Sequence, residues 1–176
     1  MKVKLENPNF TQDYLRNLLA ARGVENFEEF LCPTSKYLEP PSNLEFVDKG
    51  VELLRNTILE NKPILLVVDC DCDGFTSSAI IYQYIKKHAP EIEIEYVLHE
   101  GKQHGLEDTI DKIIAQEKTY GLVILPDSSS NDYEYHERLG ELGIPCLVLD
   151  HHLADPPFSD NAVIINNQLS PRYNNK

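Results

Sequence analysis

Three aspartates stand at alternate positions directly after an aliphatic segment. The stretch LLVVDCDCDGFTSSAI, residues 65–80, places Asp69, Asp71 and Asp73 behind a run typical of a buried strand. In extended backbone alternate side chains point to one side, so extended geometry through Asp73 would crowd three carboxylates together. Two unit charges about 5 Å apart repel by roughly 3 kcal/mol at an effective dielectric near 20. If the three carboxylates lie together, they need a bound cation, or one of them must keep its proton. The alternative interpretation is a loop of solvated acids in which one aspartate caps the following helix.

A divalent metal ion is the cation that suits this arrangement. Carboxylate oxygens are hard ligands that favour magnesium or manganese over zinc, and Gly74 permits a tight turn that brings the backbone close. Cys70 and Cys72 form a C-x-C pair, but no second thiol pair or H-x-x-H follows it, so a zinc site is disfavoured. The residues therefore predict a magnesium or manganese site.

Acids and histidines follow two more apolar segments. GLVILPDSSSND runs into Asp127, and GIPCLVLDHHLAD runs into Asp150, His151 and His152. Helix capping explains one such acid, whereas three strands that deliver acids to one sheet edge favour a shared site, and neutral imidazoles are metal ligands. The candidate ligands exceed what one cation with open positions would take. The pattern therefore predicts two metal ions, with phosphoester hydrolysis as the chemistry.

The rest of the sequence supplies the elements that must position these residues. After residue 60, strand-like apolar segments alternate with helical periodicity, which predicts an α/β fold with a parallel five-stranded sheet flanked by helices. Ligands of such sheets bind outside the carboxyl ends of the strands, where the acids are placed. Strands are predicted at 64–69, 92–98, 121–125, 145–149 and 162–165, and helices at 76–88, 107–117 and 130–142.

An amino-terminal helical segment packed on the core is predicted over residues 1–60, with the α/β domain over 61–176. Apolar periodicity in TQDYLRNLLAARGV and LEFVDKGVELLRNTILENK indicates two helices, and NFEEFL a short one between them. Thr11 is a candidate cap of the first helix, and Gly23 is its predicted stop. PTSKYLEPPSN is a proline-rich surface connection.

Composition and charge limit the function classes. The chain has 176 residues with 41% hydrophobic content, enough for one domain with a small appendage. Its start lacks the apolar core of a signal peptide, and no apolar run approaches about 18 residues, which predicts a cytoplasmic protein without membrane contact. Four cysteines without paired spacing predict reduced, mostly buried thiols. The net charge of −13 argues against a protein that coats nucleic acid but not against a nuclease.

The order of the motifs resembles a known family. DCDCDG, the isolated Asp127 and DHH, each after a predicted strand, look like the first three motifs of the DHH phosphoesterase superfamily. Two further segments are similar to the RecJ-like branch of this superfamily, the bacterial single-strand-specific 5′ to 3′ exonucleases. They are LLAARGVENFEEFLCPTSKYLEPPSNL upstream of the motifs and AVIINNQLSPRY downstream. The resemblance covers nearly all of the chain. It implies metal-dependent hydrolysis of single-stranded DNA or short oligonucleotides in DNA repair and recombination, with replication or repair proteins as possible partners.

The resemblance also implies roles for the aspartates. Asp69 and Asp71 would hold one manganese or magnesium ion, and Asp73 would hold the other. Asp127 would bridge the two ions. A water molecule would attack the phosphorus, so no side-chain nucleophile is required.

The histidines receive roles in the same way. His151 would be a ligand of the second ion, His152 would contact the scissile phosphate, and Asp150 would orient both. In LHEGKQHGL, residues 98–106, Lys102 and His104 follow a predicted strand and could contact a phosphate, although a solvated loop is the favoured interpretation.

Three departures from the family pattern bear on activity. RecJ-like enzymes usually have Asn-Gly after the second-motif aspartate, whereas this chain has Ser128, Ser129 and Ser130. The chain ends before the family's fourth-motif aspartate and before its carboxyl-terminal DHHA1-type domain. We therefore expect it to be the amino-terminal domain of a longer protein, as an expressed fragment or a naturally shortened relative, and a weak or inactive nuclease alone.

Two other functions stay open at this point. One is a DHH phosphodiesterase acting on short oligonucleotides or cyclic dinucleotides, against which the long amino-terminal helices argue. The other is a non-catalytic RecJ-like module that binds proteins or DNA. The three intact motifs argue against this function, whereas the missing fourth aspartate argues for it. The nine tyrosines follow no RNA-binding motif, so they are assigned to packing. The histidines His88, His99 and His136 are assigned to surface or core positions.

Overall fold

The described residues fall into two units, which divide between Glu39 and Pro40. A computed structural model of the chain describes residues 12–98, 105–107, 109–116 and 118–174. The first unit contains helices α1 (Gln12–Ala21) and α2 (Phe27–Leu31) and a 3-10 turn at Ser35–Tyr37. Gly23 follows α1 with a φ of +81°, a left-handed conformation that stops the helix as predicted. The predicted cap Thr11 lies outside the described residues.

A parallel five-stranded sheet is the centre of the second unit, which confirms the predicted α/β fold. The strand order is β2-β1-β3-β4-β5, and every neighbouring pair is parallel. The elements in chain order are α3 (Val47–Leu59), β1 (Ile64–Val68), α4 (Cys72–His88), β2 (Ile94–Leu98), α5 (Ile110–Ala115), β3 (Leu122–Pro126), α6 (Tyr133–Glu141), β4 (Cys146–Asp150) and β5 (Ala162–Asn166). Helix α3 thus lies in the second unit, and the domain boundary at residue 60 stays a prediction.

The predicted strands match within two residues at each end, whereas the helices differ more. Helix α4 begins four positions before the predicted start, because Asp71 caps it and apolar periodicity does not detect a cap. Helix α5 is shorter than the predicted 107–117 at both ends, and α6 is shorter than 130–142.

Helices cover both faces of the sheet at its central strands, β1 and β3. In β1, Ile64, Leu66 and Val68 pack on the face covered by α3 and α4, while Leu65 and Val67 pack on the face covered by α5 and α6. All five strand residues are buried, which explains why the strand is a continuous aliphatic run. Each such side chain contributes about 1.5–3 kcal/mol on burial, so the sheet supplies a rigid support for its carboxyl edge.

The strand order creates a crevice at the carboxyl ends of β1 and β3. The chain leaves β1 toward one sheet face and β3 toward the other, so the two connections diverge where these neighbouring strands end. Parallel sheets bind ligands at such a switch point. The residues that follow the two strands are Asp69 and Asp127.

Cysteine exposure corrects one prediction. Cys146 is buried, but Cys32 and Cys72 are exposed and Cys70 is half-buried, so the thiols are not mostly buried. All four are free, as predicted. Separately, no helix in the described part of the chain combines the length and apolar character needed to cross a bilayer.

Candidate metal centre

Asp69 is a fully buried carboxylate at the end of β1. Its Oδ1 accepts a hydrogen bond from the backbone N–H of Cys70 at 2.8 Å. Gly74, in the first turn of α4, lies so close that a Cβ there would sit 2.5 Å from the Asp69 Cβ and 2.6 Å from its carbonyl oxygen. Only glycine allows this approach, which brings the helix start against the acid.

Asp71 is the N-cap of α4. Its Oδ1 accepts from the N–H of Gly74 at 2.8 Å, and its backbone is extended, with φ −119° and ψ −175°. Because the helix begins at Cys72, the extended backbone expected to continue through Asp73 is not present. Asp73 lies exposed in the first helical turn, so the expected alternation is wrong for this residue. Its role as a ligand stays a prediction.

Two groups of ligand atoms form at the crevice. In the first, one oxygen each from Asp69, Asp71 and Asp127 lie within 4.8 Å of one another. In the second, one atom each from Asp127, His151 and His152 meet the same limit. Asp127 belongs to both groups, and Asp73 belongs to neither.

Asp127 is held in an unusual conformation at the end of β3. Its φ of +67° is left-handed, and its N–H donates to the carbonyl of Leu149 at 2.8 Å. The side chain is only 6% exposed, and Oδ2 has no hydrogen-bond partner among the described residues. Burial raises the pKa of Asp127, the charge of Asp71 raises it further, and His151 and His152 oppose the shift. The carboxylate is therefore unfavourable alone and suited to a cation.

The two histidines extend from the end of β4. His151 Nε2 lies 3.0 Å from Asp127 Oδ1, and the two imidazole rings are 4.4 Å apart at an angle of 39°. Both rings are exposed at the mouth of the crevice. They add nitrogen ligands beside the carboxylates, a mixed set that manganese accepts.

Asp150 lies behind the histidines and fixes them. Its Oδ1 accepts from the backbone N–H groups of His151 and His152 at 2.7 and 3.1 Å and lies 2.8 Å from His152 Nδ1, while Oδ2 accepts from the N–H of Ser130. Burial alone would raise the pKa of Asp150, but the hydrogen bonds from Ser130 and His152 outweigh burial and hold the pKa below its usual value. The bond at Nδ1 fixes the orientation of the His152 ring.

Asn166 is a supporting residue that sequence analysis missed. It is buried at the end of β5, and its Nδ2 donates to Ser130 Oγ and to the His152 carbonyl, both at 2.9 Å. It therefore ties the histidine segment to the serine loop. The available signal was a polar side chain directly after the apolar residues of β5, the same signal that identified the acids.

The serine loop keeps a turn that favours glycine. Ser129 has a φ of +80°, so the second residue after Asp127 is left-handed although it is not glycine. Ser128, Ser129 and Ser130 are all buried. The departure from Asn-Gly therefore leaves a left-handed turn in place.

The other predicted positions are either outside the described residues or absent from the two groups of ligand atoms. Lys102, His104 and His99 lie outside the described residues. His88 is exposed and its ring contacts that of Tyr84, while His136 is fully buried in α6, in agreement with their assignment to surface and core.

The residues at the crevice fit divalent metal ions on chemical grounds. Three carboxylates and two imidazoles converge, two of the carboxylates are buried, and a buried Asp127 oxygen lacks a partner among the described residues. Hard oxygen donors with imidazole suit manganese and, with fewer nitrogen ligands, magnesium.

Comparison with known proteins finds one matching family model and several relatives named as exonucleases. Residues 63–173 match the model of the DHH family, N-terminal domain. YorK, a prophage protein of Bacillus subtilis strain 168 whose name assigns it to the single-strand DNA-specific exonucleases, is 36% identical over 178 residues, which span all of this chain and 30% of YorK. The single-stranded-DNA-specific exonuclease RecJ of Salmonella typhimurium is 31% identical over 88% of this chain and 27% of its own length.

Solved structures show the same fold. RecJ from Thermus thermophilus, crystallised in complex with Mn²⁺, superposes with a TM-score of 0.67 at 20% identity over 89% of this chain and 22% of that one. A second exonuclease RecJ bound to manganese gives a TM-score of 0.62 at 20% identity over 73% of this chain and 32% of that one. The chain spans about 30% of the length of the curated relatives that it matches.

Proposed function

The chain belongs to the DHH family, and from this membership and the geometry of its acidic sheet edge we propose that it hydrolyses phosphodiester bonds of single-stranded DNA in a metal-dependent reaction, and that this activity is weak in the chain alone. One observation carries the proposal: the buried Asp127 is shared by two groups of ligand atoms. A carboxylate in this position can bridge two cations, which is the arrangement that phosphoester hydrolysis uses.

We assign the ligands from the two groups. Asp69, Asp71 and Asp127 would hold one manganese or magnesium ion, and Asp127 with His151 would hold the second. Asp73 is added to the second ion by family resemblance alone. Two bound ions would neutralise charge on the phosphate and favour attack by water.

The chain's own residues prepare the phosphate contact. Asp150 fixes the orientation of the His152 ring through Nδ1, and we assign the contact to a phosphate oxygen to this exposed imidazole. Asn166 holds the His152 carbonyl, which limits movement of the imidazole. This support is what a contact to the scissile phosphate requires, because the ring must keep one orientation during the reaction.

The substrate, polarity and setting belong to the same proposal. The names of YorK and RecJ support single-stranded DNA as the substrate, and the manganese in both RecJ structures supports manganese as the metal. We propose 5′ to 3′ digestion in the cytoplasm, in repair or recombination with replication or repair proteins as partners. The four free thiols are compatible with a reducing compartment.

The test is degradation of 5′-labelled single-stranded DNA by the chain with manganese, beside calorimetric titration of the metal. Asp127→Asn should abolish cleavage and weaken manganese binding, while the exposed Asp160→Asn serves as a matched control that changes neither. Faster cleavage of a cyclic dinucleotide than of DNA would favour the other DHH phosphodiesterase function. Full cleavage by Asp127→Asn would overturn the proposal.

A further inference from the structure

An apolar groove of about 390 Å³ lies beside the candidate metal centre, over the sheet face at β1 and β2. Helix α4 forms one wall and the edge strand β2 the other. We call it the aromatic groove, and the lining residues used below are Phe75, Ser78, Tyr82, Gln83, Tyr96 and Leu98. Phe75, Ser78 and Tyr82 are spaced three and four positions apart, so they form one stripe along α4.

Aromatic side chains of the groove are exposed to solvent. Tyr96 is 66% exposed and Phe75 is 49% exposed, and Tyr82 and Leu98 are exposed as well. The assignment of the tyrosines to packing is therefore wrong for those that are exposed, which are Tyr14, Tyr37, Tyr82, Tyr84, Tyr96 and Tyr133. Exposed rings grouped around a concavity are typical of a binding site. Exposed apolar residues that are scattered singly over a surface have no such meaning.

The groove lacks charged walls in a strongly acidic chain. No charged side chain lines it among the residues that the structure describes, although the chain has 29 acidic residues. A polyanion is thus not repelled by the walls. Because a chain of net charge −13 cannot hold a nucleic-acid backbone by its overall charge, stacking on aromatic rings would add affinity to that of the bound metal ions.

Both walls of the groove contain residues that neighbour the metal centre along the chain. Val68, which lines it, directly precedes Asp69, and Phe75 directly follows Gly74, which packs on Asp69. Val68 pairs with Leu98 in the sheet, so the groove extends to the carboxyl edge that carries the acids. A strand whose phosphate lies at the acids can therefore place a neighbouring base in the groove.

Two polar residues, Ser78 and Gln83, line the groove, and Gln83 is exposed. Ser78 is 5% exposed, and its hydroxyl has no hydrogen-bond partner among the described residues. The amide of Gln83 lies on the same wall and offers both donors and an acceptor. An exposed amide beside apolar walls is suited to a ligand that is flat and carries polar edges.

We propose that the aromatic groove binds an unpaired nucleobase of the single strand whose phosphate lies at the metal centre, and this rests on the proposed function. The volume falls in the range of about 300–1,000 Å³ of small-ligand sites. A protein partner needs about 800 Å² per side, which a groove of this size does not provide alone. Base stacking on aromatic rings tolerates every sequence, as a nuclease without sequence preference requires.

The experiment measures binding of a single-stranded oligonucleotide that carries 2-aminopurine near its 5′ end, with Ca²⁺ in place of manganese to limit hydrolysis. The variants are Tyr96→Ala, Tyr96→Phe, which keeps the ring, and Tyr84→Ala, which removes a similarly exposed tyrosine of α4 outside the groove. Tyr96→Ala should weaken binding about tenfold and reduce quenching of the 2-aminopurine fluorescence. Tyr96→Phe and Tyr84→Ala should bind as the parent chain does.

A second oligonucleotide, abasic near its 5′ end, identifies the part of the ligand that binds. Tyr96→Ala should not change its affinity. Equal affinity of the parent chain and Tyr96→Ala for the intact strand would overturn the groove proposal, and so would equal weakening for both strands. A dimer of the parent chain that Tyr96→Ala dissociates would also overturn it, by showing that a second copy covers the groove.

Calorimetry with manganese separates the two proposals. Metal binding together with degradation of intact and abasic strands at the same rate would overturn the groove proposal and leave the proposed function standing. Absence of metal binding, or of binding to any strand, would overturn both. Melting curves of all variants confirm that each chain is folded.

Discussion

His151 Nε2 lies 3.0 Å from Asp127 Oδ1, although the two residues follow different strands. The contact joins a 57% exposed imidazole to a buried carboxylate. It thereby connects the mouth of the crevice with its floor, and Asp127 is the common member of both groups of ligand atoms.

Neutralising Asp127 should separate fold stability from metal binding. Burial and the charge of Asp71 oppose ionisation of Asp127, so Asp127→Asn should unfold at a higher temperature than the parent chain without metal. Manganese at 100 times its dissociation constant should stabilise the parent by about 2.7 kcal/mol and the variant by much less. Thermal unfolding with and without manganese measures both effects, and equal stabilisation by manganese would contradict the bridging role.

Asp150 should act on the metal centre through the histidines. Asp150→Asn places an amide where a carboxylate accepts bonds from Ser130, His151 and His152, so the free energy of unfolding should fall by about 1–3 kcal/mol. Manganese affinity should fall about 10–100-fold because the imidazoles lose their orientation. Urea unfolding and calorimetry are the measurements, with Asp160→Asn as control. Unchanged affinity would show that Asp150 supports only the fold.

Gly74 should tolerate no side chain. Gly74→Ala places a Cβ 2.5–2.8 Å from Cβ and backbone atoms of Asp69, which cannot move without shifting β1 or α4, so we expect a loss of about 2–3 kcal/mol. Gly50→Ala is the control, because its Cβ would meet the flexible Cδ1 atoms of Ile165 and Leu147 and should cost less. Denaturant midpoints compare the two. A smaller loss for Gly74→Ala than for Gly50→Ala would contradict the close approach.

His136 should make the fold sensitive to mild acid. Burial lowers the pKa of His136 below its usual 6.5, although Asp132 and Glu137 act in the opposite direction. The unfolded chain then binds the proton more readily, so the free energy of unfolding should fall as pH drops below about 6.5, until the pH lies below the folded-state pKa. His136→Phe should remove this part of the slope in urea unfolding between pH about 7 and about 5. An identical slope in the variant would refute the prediction.

Ser129 should be replaceable by glycine with a gain in stability. The left-handed backbone at Ser129 costs a non-glycine residue roughly 1–2 kcal/mol, and glycine removes this cost. Glycine also makes the unfolded chain more flexible, which lowers the free energy of unfolding and offsets part of the gain. Ser129→Gly should therefore stabilise the fold by about 0.5 kcal/mol. Ser128 is not left-handed, so Ser128→Gly is a matched control that should destabilise by about 0.5–1 kcal/mol. Chemical denaturation of both variants is the check. Destabilisation by Ser129→Gly would mean that its side chain is needed.

The sequence alone determined the strands and the residues that end them. The aliphatic runs before Asp69, Asp127 and Asp150 are buried on both faces of the sheet. Burial on both faces requires an apolar side chain at every position of such a strand, so the strand can be identified from its own residues. Parallel strands share a carboxyl edge, so the chemistry of that edge could also be predicted. The family resemblance rests on the same motifs and is confirmed by the match over residues 63–173.

Only the tertiary structure decided which of these residues meet. Asp71 caps α4, and the helix that starts there removes Asp73 from the line of carboxylates, because a cap depends on one side-chain bond and not on periodicity. Asn166 reaches Ser130 and the His152 carbonyl because β5 lies beside β4. The aromatic groove exists because β2 pairs with β1 at the sheet edge while α4 crosses that face, and strand order is a long-range property that no local pattern carries.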